Sequence, residues 1–188
     1  MRTFPDITAL RKAVEETPTD TDLRTRLQRS EEWGEGWGTN IPLLAAAVAA
    51  SQGPVLEVGG GLFSTPVLAA MCKATGRHFV TLDDNEEWLR TYADVQPNAH
   101  LVSSWDEVKH WQGQYGVIFV DHRPDHARLP VLKAVRGWSD YIVCHDTCNP
   151  YFEGVDEFLD TFKWRYDWGF MASSTTVVSD TKEFPVIE

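Results

Sequence analysis

The stretch Val55-Leu-Glu-Val-Gly-Gly-Gly-Leu-Phe-Ser64 decides the fold. A short strand-like run follows Gly53-Pro54 and passes directly into three glycines, after which Ser64 caps a helical segment reaching Ala74. Gly59 and Gly61 permit a tight turn and close approach of a ligand to the backbone, and Ser64 stands where a dinucleotide loop would carry a third glycine. Asp83 ends the next strand, about twenty residues on, where a carboxylate accepts hydrogen bonds from ribose hydroxyls. Loop and acid together point to an adenosine-type ligand.

Outward from this loop the chain alternates. Strands are expected at 55–58, 78–82, 100–102, 116–120 and 141–144, with helices at 64–74, 86–93, 106–111, 126–135 and 155–162. Segments 164–170 and 175–179 lack a helical pattern and read as a closing hairpin. Strands separated by helix-length segments require parallel crossovers, hence an α/β sandwich with a mostly parallel sheet and a C-terminal antiparallel hairpin. Ligands of such sheets bind outside the carboxyl ends of the strands. That rule sets the loop 59–64, Asp83, Ser104, Asp121 and Asp146 along one rim.

A length of 188 residues without repeats or low-complexity tracts fits one domain, 1–188. Residues 1–40 form an N-terminal helical and lid extension: Leu-spaced polar helices over 6–29, then a Gly-rich segment carrying Trp33 and Trp37, and a further Ala-rich helix to Ala50. The longest apolar stretch, 41–50, falls short of a bilayer span and lacks the basic leader of a signal peptide. Three cysteines (Cys72, Cys144, Cys148) make no disulfide framework and favour a reducing, cytoplasmic setting. A net charge of −11 repels phosphate backbones and anionic lipid. The one basic run, Arg24, Arg26 and Arg29, is flanked by acids and reads as a solvated helix face. Neither nucleic acid nor membrane is expected as a partner; a small molecule is, and homo-oligomers are compatible.

Two ligands suit the loop, a nicotinamide dinucleotide and S-adenosylmethionine. Glu57, just before the glycines, would repel a pyrophosphate but suits a ligand carrying sulfonium and ammonium groups, and the missing third glycine weakens the dinucleotide reading. Val55–Gly61, followed by Leu82-Asp-Asp-Asn-Glu-Glu-Trp88, resembles the first two motifs of class I S-adenosylmethionine-dependent methyltransferases over roughly residues 40–180. The resemblance implies that fold, the cofactor S-adenosylmethionine, and cofactor-binding roles for Glu57, Gly59, Gly61 and Asp83. It implies an adenine border at Ser104 and Trp105, after the third strand.

Val117-Ile-Phe-Val-Asp-His122 is similar to the fourth-strand motif of catechol O-methyltransferase-like enzymes, where the Asp binds magnesium beside the methyl donor. Asp146 matches their second Asp, and Thr147 replaces the following Asn. The resemblance thus implies Asp121, Asp146 and Thr147 as metal ligands, with Asp121 also next to the cofactor. Two carboxylates plus waters suit magnesium, which would hold an acceptor hydroxyl and lower its pKa. The Lys of that motif falls on Pro124, and the neighbouring Arg123 stays protonated. His145-Asp-Thr147 also resembles sugar- and small-molecule methyltransferases, where an imidazole serves as base; catalytic candidates are therefore Asp121, His122 and His145, with His126 in reserve. Asp125 reads as an N-cap for the following helix.

Cys144 and Cys148 lack the second half of a zinc site. Asn149-Pro-Tyr-Phe152 has the wording of a DNA amino-methyltransferase motif but follows the fifth strand instead of the fourth. The expected function is methyl transfer from S-adenosylmethionine to a small-molecule hydroxyl, a reaction that magnesium can assist. The competing readings are an inactive module of the same fold and a nicotinamide-dependent oxidoreductase.

Overall fold

The computed structural model describes residues 40–147, 153–168 and 174–185. The helices expected over 6–29, Trp33, Trp37, Cys148 and the Asn149–Phe152 segment lie outside the described residues.

Helix α1 (Ile41–Ala50) starts with Pro42 in its first turn, where no N–H is needed. Strand β1 (Val55–Val58) leads into α2 (Ser64–Thr75), which stops at Gly76 in the left-handed conformation that favours glycine. Then follow β2 (Phe79–Asp83), α3 (Glu86–Arg90), β3 (Ala99–Leu101) and a 3-10 helix over Trp105–Trp111. Strand β4 (Tyr115–Val120), a 3-10 turn over Asp125–Ala127, α4 (Arg128–Val135) and β5 (Ser139–His145) complete the parallel part. Helix α5 (Val155–Leu159) and the strands β6 (Trp164–Trp168) and β7 (Thr175–Ser179) close the chain.

The seven strands form one sheet in the order β3-β2-β1-β4-β5-β7-β6. The first five are parallel, and β7 enters antiparallel between β5 and β6. The α/β sandwich with a C-terminal antiparallel hairpin is therefore present. Central strands are apolar on both faces, as parallel strands covered twice must be. In β4, Val117 and Phe119 face α1 and α2, while Ile118 and Val120 face α4 and α5. Each such fully buried side chain contributes roughly 1.5–3 kcal/mol.

Several element boundaries shift by one to three residues, and two expected helix caps are not formed. Ser64 is the first helical residue and does not cap α2, because its hydroxyl is engaged by Glu57. Asp125 does not cap α4 either: it opens the 3-10 turn, and that extra turn delays the α-helix to Arg128.

The chain crosses from β1 outward to β2 and β3, then returns to β4 on the other side of β1. The crevice above β1 and β4 is thus the switch point where open α/β sheets bind ligands. Gly59 (φ 89°) turns away there, and a Cβ on it would lie 2.5 Å from the His122 backbone. The two strand ends touch, and only glycine lets them.

Candidate active site

A cavity of about 460 Å³ opens at this crevice, a size typical of small-molecule sites. Its walls include the loop Gly59–Ser64, the β2 end from Asp83 to Asn85, Trp88, Trp105 and the β4 and β5 ends.

On the loop side, Glu57 does not face the cavity. It is fully buried in β1, and its carboxylate accepts from Ser64 Oγ (2.6 Å), Thr65 Oγ1 (2.7 Å) and Thr81 Oγ1 (2.8 Å). Thr65 Oγ1 accepts in turn from the Gly61 N–H, and Thr81 Oγ1 from Gln96. The direction of donation is therefore fixed at Oε2, and any proton on Glu57 belongs on Oε1, toward Ser64. Burial pushes its pKa up to about 8, against the pull of the three hydroxyls. The expected contact with a sulfonium or ammonium gives way to a different role: Glu57 ties β1, β2, the loop and the start of α2 together.

Asp83 does line the cavity, although little of it is exposed. Oδ2 accepts from the Gly60 N–H and Oδ1 from the Asn85 N–H, both at 2.9 Å. Burial raises its pKa despite those bonds. Oδ2 also accepts from the Tyr92 hydroxyl (3.5 Å), which leaves Oδ1 the oxygen with a second lone pair for a ribose hydroxyl. Three neighbours carry roles that the sequence alone does not announce. Asp84 is exposed on the cavity wall, Trp88 donates its indole N–H to the Gly60 carbonyl (2.7 Å), and Tyr92 fills the space a Cβ on Gly60 would need. Trp105 reaches the cavity, stacked on His122 at 4.1 Å, and donates to the Arg123 carbonyl. Ser104 does not reach it; it caps the 3-10 helix by accepting from the Asp106 N–H.

On the opposite side, Asp121, His145 and Asp146 come together, with ligand atoms within 4.8 Å of one another. His145 Nδ1 lies 3.3 Å from Asp121 Oδ2 and 3.7 Å from Asp146 Oδ2. Burial lowers the imidazole's pKa, but the two carboxylates outweigh it and the net shift is upward. Asp146 is the sole non-glycine with positive φ (58°) among the described residues. Asp tolerates that region better than most residues, and such conformations cluster at functional sites.

The group at the centre of this cluster is Arg128, which sequence reasoning missed. Its side chain is almost fully buried. Nε donates to the His122 carbonyl (2.8 Å), Nη1 to the His145 carbonyl (2.6 Å) and Nη2 to Asp121 Oδ1 (3.0 Å), with Asp146 Oδ2 at 3.9 Å. One planar fork thus clamps the ends of β4 and β5 and faces both carboxylates, which an ammonium could not do.

The three histidine candidates separate. His122 is buried, and neither ring nitrogen is hydrogen-bonded among the described residues. Burial and the Arg128 cation push its pKa down to about 3, against weaker pulls from the Arg123 backbone and Asp121. It is neutral at physiological pH and unsuited to take a proton. His126 is exposed in a separate hollow beside Arg123 and Pro124. His145 alone combines cavity, carboxylate partner and raised basicity. Cys144 is buried with its thiol pushed up to about 12, which leaves it neither ligand nor nucleophile.

Magnesium does not fit these residues well. The ion prefers near-octahedral oxygen ligands and retained water. Here the third ligand group is an imidazole. Thr147, an expected ligand, has its hydroxyl 2.8 Å from both Ser174 Oγ and Thr176 Oγ1. Arg128 already holds the carboxylates.

Neither a protein-family model nor a curated protein matches the sequence. Solved structures do. The cofactor-bound Rv0187 from MTB superposes with a TM-score of 0.61 at 16% identity, over 97% of this chain and 100% of that one. A methyltransferase from Geobacter sulfurreducens gives 0.61 at 14% identity, over 95% and 98%. The O-methyltransferase from Bacillus cereus in complex with SAH gives 0.53 at 14% identity, over 91% and 97%. The chain has the fold of the class I S-adenosylmethionine-dependent methyltransferases.

Proposed function

We propose that the protein transfers the methyl group of S-adenosylmethionine to the hydroxyl of a small molecule. The observation that carries this reading is the position of the His145–Asp121 pair, in the same switch-point cavity as the glycine loop and the β2 acid. When bound, S-adenosylmethionine supplies an electrophilic methyl group. Gly59–Gly61 offer backbone to the methionine portion, Asp83 the ribose acceptor, and Trp105 a flat border for adenine. Asn40 adds a buried Oδ1 without a hydrogen-bond partner among the described residues, on the same wall, an acceptor suited to an ammonium group.

Asp121 orients His145 by accepting at Nδ1, and this imidazole is the group that takes the acceptor's proton. Its raised basicity suits an alcohol or phenol better than an amine, which attacks through a lone pair it already has. The cavity volume and the charge of −11 support a small acceptor over a polynucleotide.

Crystals soaked separately with S-adenosylhomocysteine and with a nicotinamide dinucleotide test the cofactor. Density for the first over Gly59–Gly61 supports the proposal, and density for the second alone ends it. Release of S-adenosylhomocysteine with a panel of phenols, sugars and amines tests the acceptor. Turnover confined to amines would overturn the hydroxyl assignment.

A further inference from the structure

Arg128 occupies the space between the two carboxylates that the sequence offers to a metal. Its guanidinium lies 3.0 Å from Asp121 and 3.9 Å from Asp146, and is anchored from behind by the carbonyls of His122 and His145. It cannot swing away without leaving two buried carbonyls short of a donor. A divalent ion between the carboxylates would stand within a few ångströms of this fixed charge, in a site where water screens poorly. With one cation already in place and an imidazole beside it, the two carboxylates are compensated.

We infer that Arg128 is a built-in cation standing in for a divalent metal, so that Asp121 and Asp146 are held for catalysis without one. Resting on the methyl-transfer reading of the cavity, this makes Arg128 a positioning residue: it fixes the carboxylate that orients His145 and locks the β4 and β5 ends at the spacing the cofactor loop packs against. It also explains the departures at the rim. A built-in cation has no use for Thr147 as a ligand, so that hydroxyl is free to join Ser174 and Thr176.

The test is manganese uptake by metal-stripped protein, read from the electron spin resonance of the free ion and from thermal shift. Wild type is expected to take up none at about 1 mM, a concentration that fills even weak oxygen sites. Arg128→Met, which keeps the stem and removes the charge, is expected to bind one equivalent at least about 10-fold more tightly than wild type and to gain thermal stability from it. One equivalent bound by wild type and lost in Asp121→Asn would overturn the inference. So would a folded Arg128→Met protein that gains no manganese. If that variant fails to fold, the wild-type titration decides alone. Calorimetry with S-adenosylhomocysteine on the same stripped sample keeps the two readings apart. Absence of binding removes the methyl-transfer reading whatever the manganese result.

Discussion

The two sides of the cavity each bury one charged residue, and they handle it in opposite ways. At the cofactor loop Glu57 is enclosed by three hydroxyls and no cation, so burial wins and its pKa climbs to about 8. At the β4 and β5 ends Arg128 is enclosed by two carbonyls and two carboxylates, so its guanidinium is fully partnered. One side is a neutral clasp that sets backbone shape. The other is an ionic cluster that sets side-chain electrostatics. The difference suits binding at the first and proton chemistry at the second.

Breaking the ionic side should have the larger effect. Arg128→Met leaves the two carboxylates without their cation, and a destabilisation of about 3–5 kcal/mol is expected in urea unfolding. A loss below about 1 kcal/mol would mean the cluster is solvated and loosely held. Where the two sides meet, Gly59→Ala adds a Cβ 2.5 Å from the His122 backbone at a φ that disfavours it. A cost of about 1–3 kcal/mol is expected, together with loss of S-adenosylhomocysteine binding. Unaltered binding would show that the loop and β4 can separate without harm.

The neutral side yields an effect whose size depends on pH. Because the pKa of Glu57 is raised in the folded state, the protonated form is the one folding favours. Its contribution is fully present below the ordinary carboxylate value of about 4.3 and is lost as pH rises toward about 8. Glu57→Gln retains the proton-like donor toward Ser64 without titrating. Its melting temperature should match wild type in acid and exceed it above about pH 8. Parallel curves across that window would indicate a carboxylate ionised throughout. The ionic side carries the complementary dependence in activity: methyl transfer should rise with pH through a midpoint above the imidazole value of about 6.5, as His145 loses its proton. Asp121→Asn should move that midpoint down. A midpoint unmoved by the substitution would assign the base elsewhere.

These two sides were not equally legible in the sequence. The loop is contiguous, and its glycines, the following Ser64 and the strand-end Asp83 announce their backbone roles by order alone. Even so, Glu57 was expected at the ligand, because nothing in the order shows that Thr81 pairs with it across β1 and β2 and completes its enclosure. Asp121 and Asp146 were legible as strand ends. Arg128 was not, since its meaning arises only when residues 121, 128, 145 and 146 meet in space. One signal was available: Arg128 stands in the first turn of α4, where the helix dipole disfavours a cation. A cation placed against the dipole needs carboxylates to hold it, and the strand ends provide them.

The central claim, that the switch-point cavity is an S-adenosylmethionine site that needs no metal, is tested most directly by titrating chelator-treated protein with S-adenosylhomocysteine in a calorimeter. Saturable binding, unchanged by added magnesium and weakened at least about 10-fold by Asp83→Ala, is the predicted result. No heat with wild type, or binding indifferent to Asp83→Ala that appears only when magnesium is supplied, would contradict it.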